Sequence, residues 1–411
     1  MKKCSIVIGS LWGDEGKGHM TDILCSEMST LNVRFNGGAQ ASHTVVTPDG
    51  KRHAFRHYGS GTFAGATTYL SEKFIVNMPA FVKERNELCD EFAITPSVFV
   101  NPECIVTTPW DVYINQGIET LRGSNRHGSC GFGINETVER SKDERYKITV
   151  CDLLFKDKLI SKLTAIQDEY VKNRLKNEYD LRICDLPENY IDLLIDEKNI
   201  DIFLFYADEF LKSIKVLGDC VLKRFDNVVF EGAQGLLLDQ NNEEYFPHVT
   251  TSNTGIKNVM DILQKHQFQG EVNIYYISRC YITKHGAGPM DNELYCEPYS
   301  KVNDKTNIPN EFQGKLRYRY LDFDLLSSQI IKDLNYLKVN ANINVVLTCL
   351  DQVGNIFKYT ENGQEKKIKN ESLLEVAWKI LKSKINNLEG LYSTNGLTRD
   401  NFTLYRKSDL C

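Results

Sequence analysis

The sequence predicts an α/β fold, with a large and mostly parallel central sheet flanked by helices. Three observations carry that expectation. Short apolar runs end in glycine-rich or polar loops, as buried parallel strands do when ligands bind beyond their carboxyl ends. Between them lie charged stretches with apolar residues at three- to four-residue spacing, the pattern of helices with one solvated face. No internal repeat or low-complexity linker interrupts the 411 residues, so residues 1–411 read as one elaborated domain.

The first strand is expected at about residues 5–10 (Ser5-Ile6-Val7-Ile8-Gly9-Ser10). A glycine-rich turn follows, Trp12-Gly13-Asp14-Glu15-Gly16-Lys17-Gly18, and a helix begins through Met20, Ile23 and Leu24. A charged helical subregion is expected at about 151–225, with helical spacing over residues 153–175 and 190–217. Val228-Val229-Phe230 then runs into Glu231-Gly232-Ala233-Gln234-Gly235. Residues 272–277 form another apolar run ahead of Lys284-His285-Gly286-Ala287-Gly288-Pro289. A last run, Val345-Val346-Leu347-Thr348, ends at Cys349-Leu350-Asp351.

Composition narrows the function classes. Hydrophobic residues make up 42% and charged residues 25%, which excludes a wholly disordered, collagen-like or coiled-coil chain. The 49 basic and 55 acidic residues leave a net charge of −6, a poor basis for nucleic-acid or membrane-surface binding. Any anion must be held by a local constellation. The 12 cysteines include no CxxC pair, which argues against structural zinc. The start, Met1-Lys2-Lys3-Cys4, lacks a secretory apolar region, and no window reaches the ~18 apolar residues of a membrane span. Thiols scattered in this way suit a reduced, cytoplasmic protein in which most cysteines fill the core.

Gly13-Asp14-Glu15-Gly16-Lys17-Gly18 is the first chemical signal. Glycines let backbone N–H groups approach a phosphate, a lysine neutralises it, and the following helix adds its positive end. The spacing is not that of a Walker A loop, because position 11 is Leu and position 18 is Gly. A second small-residue loop, Arg34-Phe35-Asn36-Gly37-Gly38-Ala39-Gln40-Ala41-Ser42-His43-Thr44, brings a histidine behind it.

With Phe230-Glu231-Gly232-Ala233-Gln234-Gly235, Thr250-Thr251-Ser252-Asn253-Thr254, Gly286-Ala287-Gly288-Pro289 and Thr348-Cys349-Leu350-Asp351 following in order, the chain resembles the adenylosuccinate synthetase family nearly end to end. The resemblance implies a P-loop-NTPase-like fold with a non-Walker phosphate loop, and generally a homodimer. It implies a ligase that joins L-aspartate to C6 of IMP with GTP and Mg2+, through a 6-phosphoryl intermediate.

The resemblance also implies roles. Asp14 would take the N1 proton and reach Mg2+ beside the carbonyl of Ser42, although it could equally cap the helix. His43 would stabilise charge on O6. Lys17, with the loop at Gly13, Glu15, Gly16 and Gly18 and with Thr44, would hold the transferring phosphoryl group. Gln234 and Gln40 would face the purine base, and Thr250 its 5′-phosphate. In Gly128-Ser129-Cys130-Gly131-Phe132-Gly133 the family usually has two threonines, so Ser129 keeps a hydroxyl and Cys130 is a weaker donor. Arg140 is the candidate for the arginine that reaches that phosphate across the dimer interface. Asp351, flanked by Cys349 where the family has lysine and by Ser393-Thr394-Asn395, would accept both guanine donors with its two oxygens.

Departures from the family mark where substrate choice is open. The aspartate-binding loop reads Phe312-Gln313-Gly314-Lys315-Leu316-Arg317-Tyr318-Arg319-Tyr320-Leu321-Asp322, without the usual threonine pair and arginine cluster. Lys315 and Arg317, with Arg319 beside them, are the candidate cations for the aspartate carboxylates. Gln40, Cys130 and this loop resemble a divergent branch that makes 2-aminoadenylosuccinate from dGMP, with ATP or GTP as donor. In that branch the base aspartate is typically serine; Asp14 is kept here, which favours IMP. A non-catalytic purine-nucleotide sensor is the reading from another class. A P-loop GTPase switch is disfavoured by the failed Walker spacing and the absence of an NKxD motif.

Overall fold

The computed structural model describes residues 2–123, 129–304 and 315–405. In chain order the strands of the first half are β1 (Lys3–Gly9), β2 (Thr30–Arg34), β3 (His43–Val46), β4 (Arg52–Phe55), β5 (Thr67–Leu70), β6 (Val98–Val100), β7 (Lys215–Val216) and β8 (Asn227–Gly235). The second half carries β9 (Glu271–Arg279), β10 (Tyr281–Lys284), β11 (Arg317–Asp322), β12 (Asn342–Thr348), β13 (Ile356–Glu361), β14 (Gln364–Lys369), β15 (Leu388–Thr394) and β16 (Phe402–Tyr405).

Ten of these form the central sheet, in the order β16-β15-β12-β9-β1-β8-β2-β5-β6-β7. Every neighbouring pair is parallel except β15 with β16. The α/β expectation and the mostly parallel sheet therefore hold. Apolar residues occupy both faces of the middle strands, as burial on two sides requires. Ile6, Ile8, Val228, Phe230, Ile274 and Val345 share one cluster. Val7, Val229, Ile277 and Val346 point the other way and pack with Met20, Ile23 and Leu24 of the helix Lys17–Cys25.

The expected helical subregion is present as the helices Lys156–Ala165, Val171–Tyr179, Glu188–Ile195 and Lys198–Ser213. Their apolar faces, with Leu159, Leu163, Leu175, Phe203 and Phe210, pack in a cluster with Phe81 and Trp110. The helical spacing over 190–217 runs too far. The helix ends at Ser213, and Lys215 and Val216 instead pair with Phe99 and Val100 at the sheet edge. Two residues are too few to register a period of two in the sequence.

Around β1 the sheet turns from strands that lead outward to β7 on one side to strands that lead to β16 on the other. This is the topological position at which open α/β sheets bind ligands. The loop after β1, Gln234 at the end of β8, Arg279 at the end of β9 and Thr348 at the end of β12 all lie at these carboxyl ends. A four-stranded sheet, β10-β11-β13-β14, continues from β9 and carries the segment 284–287 to the same region. Among the described residues no helix is long and apolar enough to cross a membrane.

Candidate active site

The phosphate loop leads into the helix Lys17–Cys25 with Gly16 as its N-cap, at φ 96° and with no capping side chain. Only glycine adopts that conformation without strain, and the first helical N–H groups stay open for an anion. Gly18 serves close approach: a Cβ there would lie 2.9 Å from Cβ of His43. The loop, His43, Gln234, Asp351 and the segment 284–287 line one cavity of about 1200 Å³. That exceeds the ~300–1000 Å³ typical of a cleft for one small ligand.

Lys17 is only 4% exposed and Glu15 is equally buried, with its carboxylate accepting from the Leu11 N–H at 2.8 Å. Burial pushes the Glu15 carboxyl up and the Lys17 amine down, while each draws the other back toward charge. The Thr348 hydroxyl donates to the Glu15 carbonyl at 2.8 Å and ties this loop to the end of β12.

Asp14 stands in the left-handed region at φ 55° and does not cap the helix, a place Gly16 takes. Its carbonyl accepts from Nε of Arg279, and its Oδ2 lies 3.1 Å from Nε2 of His285. Burial pushes the Asp14 carboxyl up, but the hydrogen bond and charge of His285, with Arg279 and Lys17, hold it at about 2. An ionised carboxylate therefore faces the cavity.

His43 begins β3 and is 8% exposed. Its Nδ1 lies 2.5 Å from Oε1 of Glu231, which leaves Nε2 as the ring atom available to the cavity. Glu231 also accepts from the Ser60 N–H at 3.0 Å and from the Ser60 hydroxyl. Burial pushes the His43 imidazole down to about 4, against the pull of Glu231. Burial works on Glu231 as well, yet fully buried Arg34, with His43 and Ser60, holds that carboxyl at about 2. The free protein thus holds a neutral imidazole backed by a carboxylate that favours imidazolium as negative charge develops.

The cavity gathers Asp14, Glu15, Gly16, Lys17, Gly18, Gln40, Ser42, His43, Thr44, Ser129, Cys130, Gln234, Thr250, Cys349, Asp351 and Thr394 of the expected residues. Both polar atoms of the Gln40 amide are buried in its wall without a hydrogen-bond partner. The Ser129 hydroxyl donates to Asn115 at 2.9 Å, and burial pushes the thiols of Cys130 and Cys349 up. Gly13 shapes the loop at φ 96° without lining the cavity, and Ser393 and Asn395 also lie outside the lining, Ser393 being buried within β15.

Arg140 is a correction. It is 0% exposed, and its guanidinium bonds Asp111 at 2.9 Å, the Val106 carbonyl at 2.7 Å and the Tyr146 carbonyl at 2.5 Å. A cation locked between a buried carboxylate and two carbonyls is not placed to reach a phosphate in another subunit. Arg317 is a second correction, since it too lies outside the cavity lining. Its guanidinium bonds Glu293 at 2.8 Å and the Gly288 carbonyl at 2.8 Å, so it braces the 286–288 loop. Lys315 is exposed and also lies outside the cavity lining, and Arg319 pairs with Asp322. Phe312, Gln313, Gly314 and Gly128 lie outside the described residues.

Three partners were not singled out from the sequence. Glu231 carried a signal, an acid closing a buried apolar run, and Arg279 ends the run at 272–277 in the same way. His285 stands in the glycine-rich segment after the run at 272–277, with nothing in the sequence to indicate its partner. For a divalent cation, Asp14 is ionised, and it lines the same cavity as Ser42 and the phosphate loop. Mg2+ usually takes one or two carboxylates and completes its shell with waters and substrate phosphates, so this sparse donor set fits it. Among the described residues no cluster of three or more His, Cys, Asp or Glu forms a cage for a metal.

A family model described as adenylosuccinate synthetase matches residues 6–398. The adenylosuccinate synthetase of Teredinibacter turnerae is 32% identical over 356 residues, 85% of this chain and 78% of the relative. That of Actinobacillus succinogenes is 31% identical over 325 residues, 77% of this chain and 71% of the relative. Among solved structures, fully ligated adenylosuccinate synthetase from Plasmodium falciparum is similar at a TM-score of 0.75 and 19% identity, covering 98% of this chain and 99% of that one. Cyanophage S-2L succinoaminodeoxyadenylate synthetase (PurZ), bound to dGMP and to dATP as an energy donor, gives 0.62 at 12% identity, covering 100% and 97%. At such identities the two structures speak for the fold alone. The match over nearly the whole sequence, with relatives above 30% identity, makes this chain a member of the adenylosuccinate synthetase family of carbon–nitrogen ligases.

Proposed function

We propose that the protein joins the amine of L-aspartate to C6 of IMP, converting GTP to GDP and phosphate and releasing adenylosuccinate. The observation that carries this reading is one cavity shared by an ionised Asp14, the His43–Glu231 pair and the Lys17 loop. Asp14 removes the N1 proton, so that O6 can attack the γ-phosphoryl group of the donor. His43, backed by Glu231, stabilises the charge that develops on O6, and Lys17 with the loop amides holds the moving phosphoryl group. The aspartate amine then attacks C6 and phosphate leaves with the C6–O bond. Mg2+, held by Asp14 and the Ser42 carbonyl, would neutralise phosphoryl oxygens.

Asp351 supports guanine selection in the donor, and Ser129 and Thr250 are the groups for the nucleotide phosphate. Buried Lys284 lines the cavity and is the positive charge placed to meet an aspartate carboxylate, with exposed Lys315 outside the lining as the remaining cation of the aspartate loop. A cytoplasmic homodimer is part of this reading. Gln40, with both amide atoms unengaged, favours a second reading, dGMP as acceptor with ATP or GTP as donor.

Incubating the protein with IMP or dGMP, aspartate, Mg2+, and GTP or ATP decides among these by product mass. The expected product is adenylosuccinate from IMP and GTP. No aspartate adduct in any combination overturns both ligase readings; nucleotide binding without turnover would leave the sensor.

A further inference from the structure

The turn of the phosphate loop is held from behind by two strand ends. β9 and β12 are neighbours in the central sheet, and their last residues, Arg279 and Thr348, stand opposite each other in register. Nε of Arg279 donates to the Asp14 carbonyl, and the Thr348 hydroxyl donates to the next carbonyl, that of Glu15, at 2.8 Å. The Ser278 carbonyl is a more distant acceptor for the same hydroxyl, at 3.4 Å. Arg279 and Thr348 are both buried, and the guanidinium is fixed in turn by the Tyr281 hydroxyl at 3.2 Å and by Asp304 at 2.9 Å. Gly16 lets the loop sit this close, since a Cβ there would lie 3.1 Å from Cγ2 of Thr348.

A trans peptide sets the N–H of each following residue antiparallel to the carbonyl. With the Asp14 and Glu15 carbonyls turned to the strand ends, the N–H groups of Glu15 and Gly16 point the other way. Neither finds an acceptor among the described residues. Asp14 at φ 55° and Gly16 at φ 96° are both left-handed, and turns of this kind bring successive amides to one anion. A residue other than glycine holds such a conformation at a cost of about 1–3 kcal/mol, and keeps it only where its surroundings fix it.

We infer that Arg279 and Thr348 are positioning residues: by holding two consecutive carbonyls they aim the Glu15 and Gly16 amides at the phosphoryl group that moves from donor to acceptor. The inference deepens the reading of this loop as the holder of that group and rests on it. Neither side chain has to touch the substrate. The Arg279 bond is made to the main chain and takes up neither oxygen of the Asp14 carboxylate.

The test uses the full chain with Thr348→Val, which keeps the shape and removes the hydroxyl, with Thr348→Ser, which keeps the hydroxyl, and with Arg279→Met. Initial rates of adduct formation from IMP, aspartate and GTP give kcat/KM for GTP. Calorimetry with IMP and Mg2+ present gives the Kd of GDP and of a GTP analogue that cannot be cleaved between its β- and γ-phosphates. Amides aimed at the γ-phosphoryl group matter to GTP and its analogue but not to GDP, whereas a merely structural clamp moves all three together. Thr348→Val and Arg279→Met should each lower kcat/KM for GTP about 10-fold or more, equivalent to ~1.4 kcal/mol, with the Kd of GDP within about threefold of native. Thr348→Ser should stay within about threefold throughout. A rate within about threefold of native in Thr348→Val or Arg279→Met, an equal loss in Thr348→Ser, or GDP binding weakened as much as kcat/KM overturns the proposal. If no adduct forms, the ligase reading falls and the analogue takes the place of kcat/KM, scored by the same ratios. If neither nucleotide binds, both fall. A melting curve identifies a variant that does not fold; Arg279→Gln then replaces Arg279→Met and is scored in the same way.

Discussion

Glu231→Gln isolates the charge behind His43 while keeping its shape. The carboxylate oxygen lies 2.5 Å from Nδ1, so the imidazolium and carboxylate charges are centred about 4 Å apart. At an effective dielectric near 20, that separation is worth about 4 kcal/mol to the charged ring. Glutamine keeps a neutral hydrogen bond worth ~1 kcal/mol, which leaves a loss of about 3 kcal/mol. Because the imidazolium is needed only when charge builds on O6, the loss falls on the transition state. The expected result is a kcat lower by ~100-fold with the KM for IMP changed less than about threefold. Initial rates of adenylosuccinate formation at saturating GTP and aspartate read both constants. A kcat within about threefold of the native value, or a change confined to KM, would refute the reasoning.

Two further predictions concern stability. Arg140→Met strips the buried Asp111 carboxyl of its guanidinium partner and should cost ~3–5 kcal/mol in urea unfolding, whereas a folded variant with weakened nucleotide affinity would return Arg140 to the phosphate. Asp333 accepts from the Ile256 N–H at 3.1 Å and the Tyr276 hydroxyl at 2.9 Å, yet burial outweighs them and pushes its carboxyl up from 3.8 to about 7. Between those values the folded state binds the extra proton, so this group's stabilisation is present at acid pH and lost as pH approaches 7. Asp333→Asn does not titrate. Its melting temperature relative to the native protein should therefore rise between pH 5 and pH 8, and a constant difference would contradict the assignment.

Much of the fold was legible because burial on both faces of a parallel sheet forces continuous apolar runs. Residues 5–10, 228–230, 272–277 and 345–348 announced β1, β8, β9 and β12 in this way. The short strands β6 and β7, of 3 and 2 residues, carry too little pattern to be read and exist because neighbours at the sheet edge pair with them. Quantities set locally were also legible: the loop residues 14–18, the histidine at 43 and the acid at 351 all mark the cavity wall.

What the sequence by itself determined is thus the scaffold and the chemical groups at its strand ends, because periodicity, glycine geometry and residue type act over a few neighbours. Only the tertiary structure decided who meets whom. Arg140 and Arg317 are both cations, and nothing local distinguishes them from phosphate or carboxylate ligands. Folding placed one against Asp111 and the other against Glu293, which neutralises each. Glu231 and His43, 188 positions apart, and Asp14 and His285, in loops that follow strands of different sheets, become pairs only when β8, β3, the loop after β1 and the segment after β10 converge. A charge acts over a few ångströms regardless of chain separation, so the chemistry of this site is a property of the assembled fold.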